Sequence, residues 1–184
     1  MLWDPPHDHP LRRLFAGYTE FAFLQTFGMA DPPLVDYLSG LLSRFLHADA
    51  IHRLKNATGQ PLDQVGDMMA EVAAMPNGRT AREVHRHIGD FTLFWTGLYP
   101  ESLHRLRAQP RIDFFVDYCR QGKRSYFLAS QSDDDAQREE SAVLRRLSEQ
   151  FEMCAFGLTK VREEWERDRV DSPGRIIGVA HASS

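Results

Sequence analysis

Prolines stand where new runs of apolar residues begin, and this pattern constrains the fold more than any other feature of the sequence. Examples are Pro10, Pro32, Pro61 and Pro110. Proline is tolerated in the first turn of an α-helix, because the N–H that it lacks has no intrahelical partner there. The apolar residues that follow recur every three or four positions, which is helical spacing. The chain is therefore predicted to be a series of separate helices.

Capping and terminating residues give the bounds of these helices. Gly28 is predicted to end the first helix after Phe27, Asp31 to cap the second, and Thr80 with Glu83 to form a capping box at the start of the fourth. The eight predicted segments run over 10–27, 31–55, 61–74, 80–99, 101–107, from 110 onward, from 132 onward and 160–169. Two glycines inside this pattern are interpreted differently. Gly122 indicates a close helix crossing, whereas Gly157 is predicted to break its helix.

The fold class follows from these segments. Alternating β-branched runs between turns, which are typical of strands, do not occur in the sequence. A length of 184 residues fits one domain. We predict an all-α, single-domain helical bundle of about six to eight helices with no significant β-sheet. This domain is expected to span 1–170, with 1–9 as an N-terminal extension and 171–184 as an extended or disordered C-terminal tail.

Charge and composition limit the setting in which the chain works. The net charge of −4 argues against general nucleic-acid binding, which requires a basic surface. The longest apolar runs fall short of the roughly 20 residues that span a bilayer, and the first ten residues do not resemble a secretory signal. Cys119 and Cys154 fall on apolar helix faces and are predicted to be buried free thiols. The sequence therefore predicts a soluble, cytoplasmic protein.

Familiar catalytic motifs are absent, so the candidate chemistry rests on histidines and carboxylates at helical spacing. Asp49 with His52 on the second predicted helix, and His87 with Asp90 on the fourth, could form one polar cluster. The cluster is either a closed, hydrogen-bonded set or an open site for a ligand. Since carboxylate–histidine pairs hold metals in some helical bundles, five residues are candidate metal ligands. They are His52, His87, Asp90, Glu101 and His104.

Apolar residues on two sides of the first and fourth predicted helices suggest a further surface. Phe23 and Phe27 on the first helix, and Leu93 and Phe94 on the fourth, are the candidate interface residues. A helix that is apolar all round is buried or lies in an interface. The alternatives are a dimer interface, a second layer of the core, and an apolar ligand pocket.

Two classes of function remain after these arguments. The first is a non-catalytic helical protein that acts by self-association, as a homodimer, or by binding a protein partner. The second is a helical enzyme or carrier that binds a metal ion or an apolar small molecule between the second and fourth predicted helices. The sequence favours the first class because it carries no catalytic signature and much apolar helix surface. It favours no cofactor and leaves open whether the chain is an enzyme.

Overall fold

A computed structural model describes residues 6–45, 79–105, 114–131 and 135–171, together with Met68 and Ala70, which are helical. Within these ranges the chain forms seven α-helices, one short 3-10 segment and no β-strand, which confirms the all-α prediction. The helices are α1 Pro10–Phe27, α2 Pro32–Phe45, α3 Arg79–Leu98, α4 Pro100–Arg105, α5 Phe114–Ala129, α6 Arg138–Glu149 and α7 Phe151–Asp171. The 3-10 segment, Asp135–Gln137, directly precedes α6.

The ends of the first two helices lie where the sequence predicts them. Pro10 is the first residue of α1, and the preceding His9 accepts a hydrogen bond from the Leu11 N–H at 3.3 Å. Gly28 ends α1 in the left-handed region, at a φ of 70°, which glycine adopts without strain. Asp31 Oδ1 accepts a hydrogen bond from the Leu34 N–H at 3.2 Å and so acts as the predicted cap of α2.

Two details of the predicted boundaries differ from the structure. The fourth predicted helix, α3, begins at Arg79, so Thr80 lies inside it rather than at its cap. A larger difference concerns Gly157, because α7 runs through this residue without a break and the junction between α6 and α7 falls at Gln150. The third predicted helix, over 61–74, lies almost entirely outside the described residues, as do residues 172–184 of the predicted tail.

The described helices divide into two compact units. The first unit contains α1, α2 and the part of α7 from Phe156 onward, and the second contains α3 to α6 with the first turn of α7. Among the described residues, no helix is both long enough and apolar enough to cross a bilayer.

The core of the first unit explains why Gly157 does not break α7. A Cβ atom at position 157 would collide with the ring of Phe23, which is fully buried on α1. Glycine therefore lets the Phe23 ring lie directly on the α7 backbone. Further along α7, Trp165 makes an edge-to-face contact with Phe15, with 5.7 Å between the ring centroids.

The core of the second unit uses glycine in the same way. A Cβ atom at position 122 would lie 2.5 Å from Thr92 Oγ1 and would also collide with the Phe151 ring. This confirms the predicted close crossing at Gly122. On α3, a Cβ atom at position 89 would lie 2.6 Å from the ring of the buried Tyr126. Close approaches of large side chains to glycine backbone thus join α3, α5 and the start of α7.

Candidate functional site

A row of charged side chains follows one side of α3 in the second unit. Arg82, Arg86 and Asp90 are spaced four residues apart, so they share a side of the helix. Glu140, on α6, accepts a hydrogen bond from Arg82 at 2.7 Å and from Arg86 at 2.6 Å. The carboxylate of Asp90 lies further along, where Tyr126 of α5 donates its hydroxyl proton to Oδ1 at 2.9 Å. We call these five residues the α3 polar row.

The α3 polar row links α3 to α5 and α6 by side-chain hydrogen bonds. Asp90 is 2% exposed, and a buried carboxylate is costly unless charged or hydrogen-bonding groups satisfy it. The Tyr126 hydroxyl and the nearby Arg86 guanidinium, at 4.0 Å, supply that stabilisation. With two guanidinium groups and two carboxylates, the row is balanced in charge. It therefore resembles a clamp between α3, α5 and α6.

Two histidines, His85 and His87, lie on α3 between residues of the α3 polar row in sequence. His87, one member of the predicted polar cluster, is buried, and its ring lies 6.5 Å from the ring of Phe91. His85 lies on a different side of α3, where burial and the charge of Arg124 lower its pKa. A lowered pKa keeps His85 neutral near pH 7, so it adds no charge to the helix. His87 and Asp90 are thus both buried in the second unit, and their predicted grouping with Asp49 and His52 stays a prediction.

The other predicted site residues are not brought into this group. Asp49 and His52 lie outside the described residues, as does the side chain of His104. Glu101 is half-buried in the first turn of α4. Across the described ranges, the structure contains no group of three or more histidine, cysteine, aspartate or glutamate residues that could hold a metal ion. The convergence of the second and fourth predicted helices on one polar cluster stays a prediction.

Three of the four predicted interface residues belong to the core of the single chain. Phe23, Leu93 and Phe94 are each buried, and Phe27 is partly buried. These three side chains are therefore not exposed on the surface of the described chain. Their predicted role in an interface stays a prediction, and exposed apolar residues are found elsewhere in the described ranges.

Such residues lie near the C-terminal end of α1. Phe21 and Leu24 are 49% and 46% exposed although both are large and apolar. Phe27 follows three residues later and contacts Phe156 of α7, which is itself 50% exposed, with 6.3 Å between the ring centroids. Residues spaced by three along a helix lie on one side of it. We call Phe21, Leu24, Phe27 and Phe156 the α1 apolar face.

A second group that sequence reasoning missed consists of two buried arginines in the first unit. Arg12 of α1 and Arg44 of α2 are 7% and 4% exposed, and their guanidinium groups meet beside Gly40. Arg12 donates a hydrogen bond to Asp36 Oδ2 at 2.9 Å. The position of Arg44 among the apolar residues of α2 was the available signal, since a charged residue within such a stripe requires a specific environment.

Both cysteines of the chain are buried in the native fold. Cys119 and Cys154 are both free and buried, which confirms the sequence-based prediction. Burial raises the pKa of the Cys154 thiol to about 12, so it remains protonated near neutral pH. Because the thiolate is the nucleophilic form, this cysteine is not a candidate nucleophile.

Comparisons with protein-family models, with curated proteins and with solved structures found no match to this chain.

Proposed function

We propose that this chain is a non-catalytic helical protein that acts by association, and that its partner is a second copy of itself. The observation that supports this proposal is the α1 apolar face. Burying a large apolar side chain that was exposed stabilises a complex by roughly 1.5–3 kcal/mol. Three of the four side chains of this face are about half exposed, so an association that covers them gains a substantial part of that energy twice, once on each copy.

The geometry of this face suits pairing between identical chains. In a two-fold dimer the same surface is used by both copies, so it must be complementary to itself. A row of side chains along one side of α1 meets that condition, because two such rows can pack against each other in antiparallel orientation. Lys160 Nζ on α7 lies 5.3 Å from the centroid of the Phe156 ring, and the exposed Glu20 precedes Phe21 on α1. A two-fold arrangement allows these opposite charges to pair across the interface.

The polar groups of the described residues support a non-catalytic role. The members of the α3 polar row bind one another between helices, through the Arg82 and Arg86 hydrogen bonds to Glu140 and the Tyr126 hydrogen bond to Asp90. The Cys154 thiol is protonated and buried. The alternative of an enzyme or carrier with a metal ion or apolar ligand depends on Asp49 and His52, which lie outside the described residues, and it stays a prediction.

The test is the mass of the full chain in solution, measured by light scattering after size-exclusion chromatography at micromolar concentration. We expect a dimer for the wild type and a monomer for the double variant Phe21→Ser and Leu24→Ser. Val170→Ser is the matched control, since Val170 is also apolar and exposed but lies in the last turn of α7. It should remain dimeric.

Helix content is measured for each variant by circular dichroism, so that loss of the dimer is distinguished from loss of the fold. A wild-type chain that remains monomeric up to high concentration would contradict the proposal. A dimer that persists in the folded double variant would show that a different surface is responsible.

A further inference from the structure

The second unit has an exposed helix face, on α5, that combines arginines with apolar side chains. We propose that this face binds an acidic amphipathic helix of a partner protein. The face consists of Val116, Arg120, Arg124, Phe127 and Leu128, and we call it the α5 arginine face. It belongs to a different unit from the α1 apolar face, and the proposal does not depend on self-association.

The residues of the α5 arginine face share one side of the helix. Successive residues of an α-helix are turned by about 100°, so Val116, Arg120 and Phe127 fall within about 40° of one another. Arg124 and Leu128 continue the same side. The three apolar residues are 50%, 39% and 36% exposed in chain order, and both arginines are exposed as well. The residues on the opposite side of α5 are buried: Cys119, Gly122, Ser125, Tyr126 and Ala129.

α5 is a basic helix in an acidic chain. Its three basic residues are Arg120, Lys123 and Arg124, and its one carboxylate is Asp117, whereas the whole chain has a net charge of −4. Lys123 Nζ is paired with Glu152 Oε1 at 2.9 Å. Within the described ranges, no hydrogen bond or ion pair involves the guanidinium group of Arg120 or Arg124. These two charges are therefore available to the carboxylates of a partner.

The ring of Phe127 is held in place on this face by a residue of α6. Arg145 Cζ lies 4.8 Å from the centroid of the Phe127 ring, which is a cation–π distance. Arg145 is itself positioned by Glu149, whose Oε1 accepts a hydrogen bond from Nε at 2.7 Å. A side chain that is oriented before binding loses less conformational entropy when a partner covers it.

The spacing along α5 indicates what the partner looks like. Arg120 and Arg124 are four residues apart, which is about 6 Å along the helix axis. Two carboxylates that are four residues apart on a second helix have the same spacing. Val116 precedes the arginines by one turn and Leu128 follows them by one turn, so apolar residues should flank the acidic pair on the partner. The expected partner is a helix of about four turns with this pattern.

The charge of the whole chain favours a protein partner over a phosphate-rich one. Binding to nucleic acid or to anionic lipid depends on many cationic contacts, and a net charge of −4 opposes it. A helix with two carboxylates requires only the two exposed arginines. Arginine and aromatic residues are also the types that protein–protein interfaces concentrate, which matches Arg120, Arg124 and Phe127.

The test uses the full chain and a synthetic peptide as the probe. The probe is a fluorescein-labelled, alanine-based helix of about 16 residues. It carries two glutamates four residues apart, with a leucine one turn before the first and one turn after the second. A second peptide has lysines in place of the glutamates. By fluorescence anisotropy we expect saturable binding of the glutamate peptide, at least about tenfold tighter than that of the lysine peptide at low salt.

The double variant Arg120→Glu and Arg124→Glu is decisive, because it reverses the charge of the face. We expect it to bind the lysine peptide more tightly than the glutamate peptide. The double variant Arg13→Glu and Arg169→Glu is the matched control, since it changes the net charge equally at two exposed arginines of the first unit. It should bind the glutamate peptide with wild-type affinity.

Phe127→Ser tests the apolar part of the face. It should weaken binding of the glutamate peptide by at least about threefold while the preference for glutamate over lysine is retained. Circular dichroism checks that each variant is folded.

The proposal is overturned if the glutamate peptide does not bind saturably, or if the folded Arg120→Glu and Arg124→Glu chain binds it with wild-type affinity. Vesicles of phosphatidylcholine with phosphatidylserine, and a uridine oligonucleotide, are tested in parallel. Tighter binding of either one than of the glutamate peptide, lost in the charge-reversed variant, would show that the face recognises phosphate and would also overturn the proposal.

Discussion

Two tyrosine–aspartate hydrogen bonds in this chain have similar lengths but very different surroundings. Tyr126 donates to Asp90 at 2.9 Å inside the second unit, and Tyr18 donates to Asp168 at 2.7 Å near the surface of the first. The same substitution, tyrosine to phenylalanine, removes the hydroxyl group from each while preserving the ring. The pair therefore isolates the effect of burial on a hydrogen bond.

We expect Tyr126→Phe to be much more costly than Tyr18→Phe. Removing the Tyr126 hydroxyl leaves a carboxylate that is 2% exposed with one donor fewer and without water to replace it. Loss of a hydrogen bond to a buried charged group typically costs about 1.5–3 kcal/mol, and we take about 2 kcal/mol here. For a chain of this size that corresponds to a fall in melting temperature of about 4–8 °C. Tyr18→Phe should cost less than about 1 kcal/mol, because Asp168 is solvated.

The free energy of unfolding of each variant is measured by urea denaturation, with the melting temperature as a second readout. A double-mutant cycle of Tyr126→Phe with Asp90→Asn then tests whether the cost depends on the carboxylate. The two substitutions should be non-additive by about 1 kcal/mol, as expected for groups in direct contact. Equal costs for Tyr126→Phe and Tyr18→Phe, or strict additivity in the cycle, would refute the reasoning.

Three further predictions follow from the described packing and charges. Gly157→Ala should destabilise the chain by about 1–3 kcal/mol, because the new methyl group collides with Phe23, and calorimetric melting checks it. Since the folded pKa of Cys154 is raised to about 12, the stability that it contributes is complete below the ordinary pKa of about 9 and is lost as pH rises towards 12. Urea denaturation at pH 8 and pH 10.5 should therefore show a smaller loss of stability in Cys154→Ala than in the wild type. Glu140→Gln should lower the free energy of unfolding by about 1–2 kcal/mol, because two partly buried arginines lose their carboxylate partner. Glu149→Gln removes the carboxylate of an exposed pair and should lower it by less than about 0.5 kcal/mol. Urea denaturation measures both values.

Local signals predicted the helices well, because helix ends depend on residues close in sequence. The first turn at Pro10, the left-handed Gly28 and the cap at Asp31 each depend on a few neighbouring residues. Their positions follow from backbone geometry and do not require knowledge of the packing. The burial of Cys119 and Cys154 could also be predicted from neighbouring residues, because both cysteines lie on apolar helix faces.

Features that depend on distant residues could not be predicted in this way. The partner of Asp90 is Tyr126, 36 residues away, so helical spacing could not identify it. Gly157 was interpreted as a helix break because a lone glycine weakens a helix, and only the position of Phe23 shows its actual role. The meeting of Arg12 and Arg44 likewise depends on how α1 and α2 pack against each other.

The close contact between Phe23 and Gly157 has a consequence for how this sequence can change. The two positions share one fixed volume, which the ring occupies and the glycine leaves empty. A larger residue at 157 should therefore be tolerated only together with a smaller residue at 23. If both codons are randomised and folded chains are selected, the surviving pairs should exchange size between the two positions while their summed volume stays nearly constant. The residue types at positions 23 and 157, which are 134 positions apart in the chain, would then have to change together.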